Sequence, residues 1–309
     1  MYLSSLMINV GDNPDRPDWN HSRNWLRNLY RVHQRLCMAF PTDDRKKDDA
    51  PFLKPYRVVD FPRTANANAA VGAQIASARD VHTERAESQG FLFRIDNPPD
   101  ESRGGRRPVI IVQSANRPDW DYAFGLKPGL RDQFGRPIGN AAQLLAAPVR
   151  LKEFDYMAGD TSSFCVRDAD SEGVYHNGCV LRLRLQANPT KRAFNGPQKG
   201  QRIRVGPDRA DLLAWLERKG NDAGFKPIFT PPSQPSSSED DGWMLRTSWV
   251  SGWKTKYEPA PHDRLSFWSV LFEGQVRMLD AERFVGALKT GIGSAKGFGF
   301  GLLSIAQCG

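Results

Sequence analysis

The residues whose types and spacing best suit chemistry are Tyr30 and His33, three positions apart in a segment with helical periodicity. Side chains three apart on a helix project to neighbouring positions. An imidazole, with an ordinary pKa of about 6.5, accepts and donates protons near neutrality, so the pair suits acid–base catalysis. Arg27, Arg31 and Arg35 in the same segment would add positive charge. His33 nevertheless falls inside the apolar stripe, which by itself favours a buried core histidine beside a solvated arginine face.

Other reactive residues form no familiar catalytic or metal-binding pattern. The chain has five histidines: His21, His33, His82, His176 and His262. None has metal-ligand spacing such as HExxH, and neither GxSxG nor a P-loop occurs. The four cysteines include no CxxC, so neither a zinc site nor a disulfide framework is indicated. We therefore expect no metal and no cofactor.

The net charge of +8 favours a polyanionic partner, and 309 residues favour two domains. A basic protein without a metal site or nucleophile pattern would more plausibly cleave RNA, because the 2′-hydroxyl of RNA can itself attack the neighbouring phosphate. No apolar run reaches the roughly 18 residues of a membrane span, and the N-terminus lacks a signal peptide's charged region. These features predict a cytoplasmic protein without a membrane partner.

Two basic or glycine-rich segments are candidate RNA-binding elements. Residues 191–204 predict a basic hairpin with five cations: Lys191, Arg192, Lys199, Arg202 and Arg204. Five glycines lie between Gly291 and Gly301, and exposed amides beside Lys296 suit a phosphate backbone, with Gly291 and Gly293 as candidate contacts. The alternative is a helix C-cap at Gly291 followed by a tightly packed strand. Residues 296–303 also approach the RNA-recognition-motif signature, but depart from it at Gly301 and Leu303.

The order of predicted elements gives the fold class. In the first half we predict strands at 2–10, 91–95, 108–114 and 149–157, and helices at 21–40 and 140–147. In the second half we predict strands at 180–186, 243–256, 265–278 and 298–306, and helices at 208–218 and 279–288. Each half has the order βαββαβ, so we predict an α+β protein with two tandem ferredoxin-like (RRM-like) domains, 1–157 and 179–309. A linker spans 158–178, insertions occupy 42–90, 115–137 and 231–263, and 69–78 forms a short helix.

Three separated segments carry a family resemblance. They are Met1 to Ser4 with Leu29 to Leu36, then Leu183 to Lys191, and finally Gly291 to Lys296 continuing through Phe298 to Ser304. In content and order they resemble the CasE family, the CRISPR repeat endoribonucleases of type I-E systems. The three insertions lie outside the resemblance and make this chain longer than the usual member.

The resemblance implies recognition of a repeat stem-loop and metal-independent cleavage at the 3′ base of the stem, leaving a 2′,3′-cyclic phosphate. The mature guide RNA stays bound, and the protein joins other Cascade subunits, especially the backbone subunit nearest the guide 3′ end. By position, His33 is the catalytic histidine, facing the cleft between the domains, and Tyr30 is its helper. Asn188-Pro-Thr-Lys191 matches a family motif, whereas Gln186 replaces an arginine of many relatives and receives no role.

Two alternatives remain at this point. One is a non-catalytic RNA-binding subunit of a CRISPR ribonucleoprotein, and the other, weaker one is a metal-dependent nuclease. Whether His33 acts as a base or an acid is open.

Overall fold

The computed structural model describes residues 1–11, 19–40, 91–97, 107–124, 141–193, 201–229, 241–253 and 264–308. The helix predicted at 69–78 and the side chain of Lys199 lie outside these ranges, as do the insertion at 42–90 and most of the other two. No helix of the described residues is long and apolar enough to cross a membrane.

The N-terminal half is built on an antiparallel sheet of six strands. Its elements are β1 (Tyr2–Met7), α1 (Trp19–Leu26), α2 (Leu29–Cys37), β2 (Phe91–Asp96), β3 (Val109–Ser114), α3 (Trp120–Ala123), a 3-10 turn (Ala141–Leu144), β4 (Arg150–Ala158), β5 (Ser163–Asp168) and β6 (Glu172–His176). The strand order is β2-β3-β1-β4-β5-β6. The first four strands have the ferredoxin-like order, so the predicted fold of this half is confirmed.

Three predictions for this half need correction. The helix predicted over 21–40 is two helices, because Asn28 is extended (φ −109°, ψ 90°) and its carbonyl accepts the amides of Arg31 and Val32 to start α2. The helix predicted over 140–147 is a single 3-10 turn.

The predicted linker is the third correction, since residues 158–178 contain β5 and β6. The Asp168 carboxylate accepts the amides of Asp170 and Ser171 and so closes the hairpin between them. These strands extend the first sheet, yet Phe164 of β5 packs into the second core against Phe284. The domain limits of 1–157 and 179–309 therefore stay a prediction.

The C-terminal half repeats the topology. Its elements are β7 (Val180–Ala187), β8 (Thr190–Arg192), β9 (Arg202–Arg204), α4 (Arg209–Asp222), β10 (Phe225–Pro227), β11 (Met244–Trp253), β12 (Arg264–Met278), α5 (Ala281–Thr290), a 3-10 turn (Lys296–Phe298) and β13 (Leu303–Gln307). The order is β10-β12-β7-β13, with β11 also paired to β12, so two strands share the second position of the motif. The predicted basic hairpin forms as β8 paired with β9.

Two of the element ends that differ from the prediction have a clear physical cause. Helix α4 continues past Arg218 and through Gly220, which is buried against Phe225. The last strand begins at Leu303 instead of Phe298, because the preceding Gly299 and Gly301 have left-handed backbones (φ 87° and 88°). The predicted cap of α5 is present, since the side chain of Asp280 accepts the amide of Arg283.

The two halves pack closely. Helix α5 lies on the first sheet, where the side chain of Gln113 donates to the carbonyl of Leu288 at 2.6 Å. Buried Arg94 of β2 pairs with Asp96 and donates to the hydroxyl of Ser304 at 3.0 Å. Phe300, which lies between the second 3-10 turn and β13, belongs to the first hydrophobic core. Side chains of the two halves are thereby held in fixed positions relative to one another.

Candidate active site and nucleic-acid interface

The imidazole of His33 lies where α2 of the N-terminal half meets the C-terminal glycine loop (residues 291–301). Its ring stacks on Phe91 and tilts against Phe298, with both centroids 5.8 Å away. A Cβ built on Gly297 would lie 3.4 Å from Cε1 of His33, so the ring contacts the loop at its 3-10 turn. The Sγ of Cys37 is 3.5 Å from Nε2. His33 is thus half-buried at the junction of the two halves, as expected for a residue facing the cleft.

Tyr30 lies one turn before His33 and is also half-buried. Its backbone packs under β11, because a Cβ on Gly252 would come within 3.0 Å of the Tyr30 nitrogen. Burial, and secondarily Cys37, raises the pKa of the Tyr30 phenol above its ordinary value. The phenol therefore stays neutral at physiological pH and can donate a hydrogen bond.

The glycine loop doubles back on itself between α5 and β13. Gly291 ends α5 with φ 75°, and a Cβ there would meet the Gly301 oxygen and Leu92, each at 2.8 Å. The amide of Ile292 donates to the Gly301 carbonyl at 3.0 Å. Gly291 therefore performs the C-cap role that the alternative interpretation assigned to it, and its close backbone approach shapes the loop.

A groove of about 670 Å³ borders this loop and is strongly basic. Its walls come from the β8–β9 hairpin, α4, α5 and the glycine loop. Seven cationic side chains of the described residues line it: Lys191, Arg192, Arg202, Arg218, Lys219, Arg283 and Lys296. Among the described lining residues the single carboxylate is that of Asp222, which accepts from Lys219 at 3.1 Å. Such a surface suits a phosphate backbone.

The loop and the hairpin are tied together beside this groove. The side chains of Asn188 and Thr190 each donate to the Ser294 hydroxyl at 3.3 Å, and that hydroxyl donates to the Asn188 carbonyl at 3.0 Å. The matched family motif thus anchors the glycine loop to the base of the basic hairpin.

Several predicted RNA-binding residues line the groove. Lys191, Arg192 and Arg202 are exposed on the hairpin, and both Gly291 and Gly293 contribute to the lining. The Lys296 ammonium donates to the Thr290 carbonyl at 2.7 Å, at the C-terminus of α5. Burial, followed by the nearby Lys219, lowers the pKa of Lys296.

Arg204 lies apart from the groove, although it belongs to the same hairpin. Its guanidinium stacks over the indoles of Trp249 and Trp268, 5.1 and 5.4 Å from their centroids.

The three arginines of the first helical segment have different environments. Arg27 is exposed and Arg31 is partly exposed. The Arg35 guanidinium turns inward and donates to the carbonyl of Ala123 at 2.9 Å, and burial lowers its pKa to about 10. This placement argues against the predicted RNA contact by Arg35, because that guanidinium is already engaged inside the N-terminal half.

Sequence reasoning missed Arg218, Lys219 and Arg283 of the groove. They lie near the ends of α4 and α5, where cations are ordinary features of a solvated helix face. The sequence signal that could have found them is the positive charge of the facing hairpin, because a phosphate-binding groove needs a second basic wall opposite the first.

No cluster of three or more potential metal ligands occurs among the described residues.

Comparisons with known proteins place the chain in a family. A family model described as "CRISPR associated protein" matches residues 69–307. The CRISPR-associated endoribonuclease Cse3 of Thermus thermophilus is 33% identical over 252 residues, covering 78% of this chain and 95% of that protein. The CRISPR system Cascade subunit CasE of Escherichia coli is 32% identical over 137 residues, or 42% of this chain and 59% of that protein.

The fold has a counterpart among solved structures. A structure of CRISPR endoribonuclease Cse3 bound to a 19-nucleotide RNA aligns with 99% of this chain and 100% of its own, with a TM-score of 0.52 and 22% identity. This likeness concerns the tandem ferredoxin-like architecture.

Proposed function

Because this chain belongs to the family of CRISPR-associated proteins, in its CasE branch, we propose that it is a CRISPR repeat endoribonuclease. It binds the repeat stem-loop in precursor RNA and cleaves at the 3′ base of the stem. The mature guide RNA stays bound, and the protein acts as a subunit of Cascade. Its substrate is a cellular transcript, so the reaction takes place in the cytoplasm.

The observation that carries this proposal is the position of the glycine loop. Residues 291–294 and Lys296 of the loop line the basic groove, and Gly297 lies against the His33 ring. An RNA whose phosphates occupy the groove would therefore extend past the loop toward an imidazole. A binding surface and an acid–base group at adjacent positions are the parts that RNA cleavage by its own 2′-hydroxyl requires.

In the proposed reaction, the 2′-oxygen attacks the adjacent phosphorus and the bond to the 5′-oxygen breaks, leaving a 2′,3′-cyclic phosphate and a 5′-hydroxyl. His33 either accepts the proton of the 2′-hydroxyl or donates a proton to the departing 5′-oxygen. The neutral phenol of Tyr30 donates a hydrogen bond that helps to orient the reacting group. The groove cations hold the flanking phosphates in register with the imidazole.

Replacing His33 by Ala tests the assignment, with the repeat hairpin from the CRISPR array of the same genome as substrate. We expect unchanged hairpin affinity and a roughly 10²- to 10⁴-fold slower single-turnover cleavage. His176→Ala is the matched control, because this exposed histidine on β6 is not among the residues around His33.

Full activity in excess EDTA is expected for metal-independent cleavage, and its loss would favour the metal-dependent alternative. A wild-type protein that binds the hairpin but leaves it intact would overturn the enzyme assignment and favour a non-catalytic RNA-binding subunit.

A further inference from the structure

An exposed tryptophan on β11 forms a second surface next to the basic hairpin. The side chain of Trp249 is 59% exposed, more than any other large apolar side chain in the part of the chain that the structure describes. It faces Trp268 across the β11–β12 pair, with ring centroids 5.2 Å apart. Trp268 is partly buried against the second core, so this indole is held in place and supports the exposed indole of Trp249.

The cation above this pair comes from a different element. Arg204 lies on β9, and its guanidinium is 5.1 Å from the Trp249 centroid. The base of its hairpin is held by α4, since the Trp215 indole donates to the Thr190 carbonyl at 3.1 Å. Arg202, two residues earlier on β9, lines the basic groove. One short hairpin therefore connects the phosphate-binding groove to the tryptophan pair.

We propose that Trp249, with Arg204 beside it, stacks an unpaired nucleobase of the RNA strand that flanks the stem. Proteins bind single-stranded nucleic acid through this combination of an aromatic ring, which stacks a base, and neighbouring cations, which hold its phosphates. An Arg guanidinium over an indole strengthens such a platform through cation–π attraction. This site rests on the proposed function for the identity of the RNA.

The location of Trp249 also fits a bound RNA strand that leads to the proposed cleavage site. Gly252, three residues further along β11, packs against the backbone of Tyr30. At about 3.3 Å per residue, Trp249 is roughly 10 Å along the strand from that contact. Alternate residues of a strand face opposite sides, so Trp249 and Gly252 are on opposite faces of β11. A bound RNA strand would therefore pass around the edge of the β11–β12 pair.

The charge of the surroundings favours RNA over a protein partner. Arg204 and Arg202 are both exposed on the hairpin beside the indole. A protein surface that covered the indole would also have to neutralise these cations, whereas a nucleotide supplies a base and a phosphate together.

The test compares Trp249→Leu, Trp249→Phe and wild type for binding to a ten-nucleotide oligoadenylate. Loss of one base–aromatic stack corresponds to roughly 5- to 150-fold in affinity. We expect Trp249→Leu to fall in that range and Trp249→Phe to retain most of the affinity. Phe229→Leu is the matched control, because Phe229 is also exposed (40%) and follows β10 instead of lying on β11.

A second pair of probes separates this site from the cleavage site. The repeat hairpin is measured with and without ten-nucleotide single-stranded extensions. The Trp249→Leu variant should lose only the gain in affinity from the extensions. It should cleave at the wild-type rate a hairpin that keeps a single nucleotide 3′ of the scissile phosphate.

An oligoadenylate affinity within twofold of wild type for Trp249→Leu would overturn the proposal and assign the indole to a protein partner. An equal loss in Phe229→Leu would overturn it as well. If wild type fails to cleave any hairpin, the proposed function falls, whereas the effect of Trp249→Leu on oligoadenylate binding stands by itself.

Discussion

The contact between Gly297 and His33 allows the proposed active site to be perturbed without touching the imidazole itself. Gly297 lies in a 3-10 turn and is not among the glycines with a left-handed backbone, so a side chain there strains no torsion. A Cβ at this position would lie 3.4 Å from Cε1 of His33. Alanine therefore fills the space to ordinary contact, whereas valine adds methyl groups about 1.5 Å beyond Cβ.

Gly297→Val should displace the imidazole by about 1 Å. Phe91 stacks on the ring, and Phe298 also contacts it, so it cannot turn freely away from the new methyl groups. Misplacing a catalytic group by about 1 Å can cost 10²-fold in rate. We expect single-turnover cleavage of the repeat hairpin to fall about 10²-fold in Gly297→Val and by far less in Gly297→Ala, while hairpin affinity changes little.

The matched control is Gly286→Val, because Gly286 is exposed on α5 and a Cβ there meets nothing within 4 Å. This variant should cleave at the wild-type rate, and far-ultraviolet circular dichroism should show that both variants are folded. Wild-type cleavage by a folded Gly297→Val variant would refute the idea that the glycine loop positions His33.

Two further predictions concern the groove and the pH dependence of stability. Arg202→Gln should weaken hairpin binding and reduce the slope of log affinity against log salt by about one, whereas Arg167→Gln, which removes the same charge on β5, should leave the slope unchanged. Burial, and secondarily Tyr175, raises the pKa of Tyr156 to about 12. Because the folded state holds this phenol proton more tightly than the unfolded state, the free energy of unfolding is unaffected by ionisation of this group below an ordinary phenol pKa of about 10. It falls as pH rises toward 12, by at most about 2.7 kcal/mol. Tyr156→Phe should therefore lose less stability than wild type between pH 9 and 11 in urea titrations.

The parts of the fold that the sequence predicted well are those with strong local periodicity. In β7, Leu181, Leu183 and Leu185 are buried as the alternation of apolar and basic residues indicated, because one face of this strand covers the core. The repeated βαββαβ order followed from such segments. The Asp280 cap was equally local, since it depends on residues only three apart.

Features set by distant partners could not be predicted in this way. The break at Asn28 lies within an uninterrupted apolar pattern, and the packing of Gly252 against Tyr30 is visible only once β11 is in place. Strand β6 carries the exposed Val174, so its sequence resembles a loop, and pairing with β5 is what orders it. Spacing also placed Arg35 beside the other arginines, but not the direction in which its long side chain turns.

The same limit applies to the proposed site. Helical spacing correctly put His33 on the apolar side of α2, which favoured a core position. That side does face apolar rings, Phe91 and Phe298, but the second belongs to a loop more than 260 residues later in the chain. No local pattern distinguishes a stripe that faces its own core from one that faces another segment, and here the family resemblance supplied the distinction.

The tight packing predicted for the glycine loop is observed on one side of its backbone, and the proposed phosphate binding would use the other side. Gly299 brings the loop against Phe93 of β2, since a Cβ there would lie 3.0 Å from that ring. Its opposite side, at Gly293 and Ser294, forms part of the basic groove. Glycine packing on the N-terminal half therefore fixes the distance between the groove and His33. Larger residues at Gly293 and Gly299 would disturb RNA binding and cleavage together, whereas substitution of a single groove cation would chiefly weaken binding.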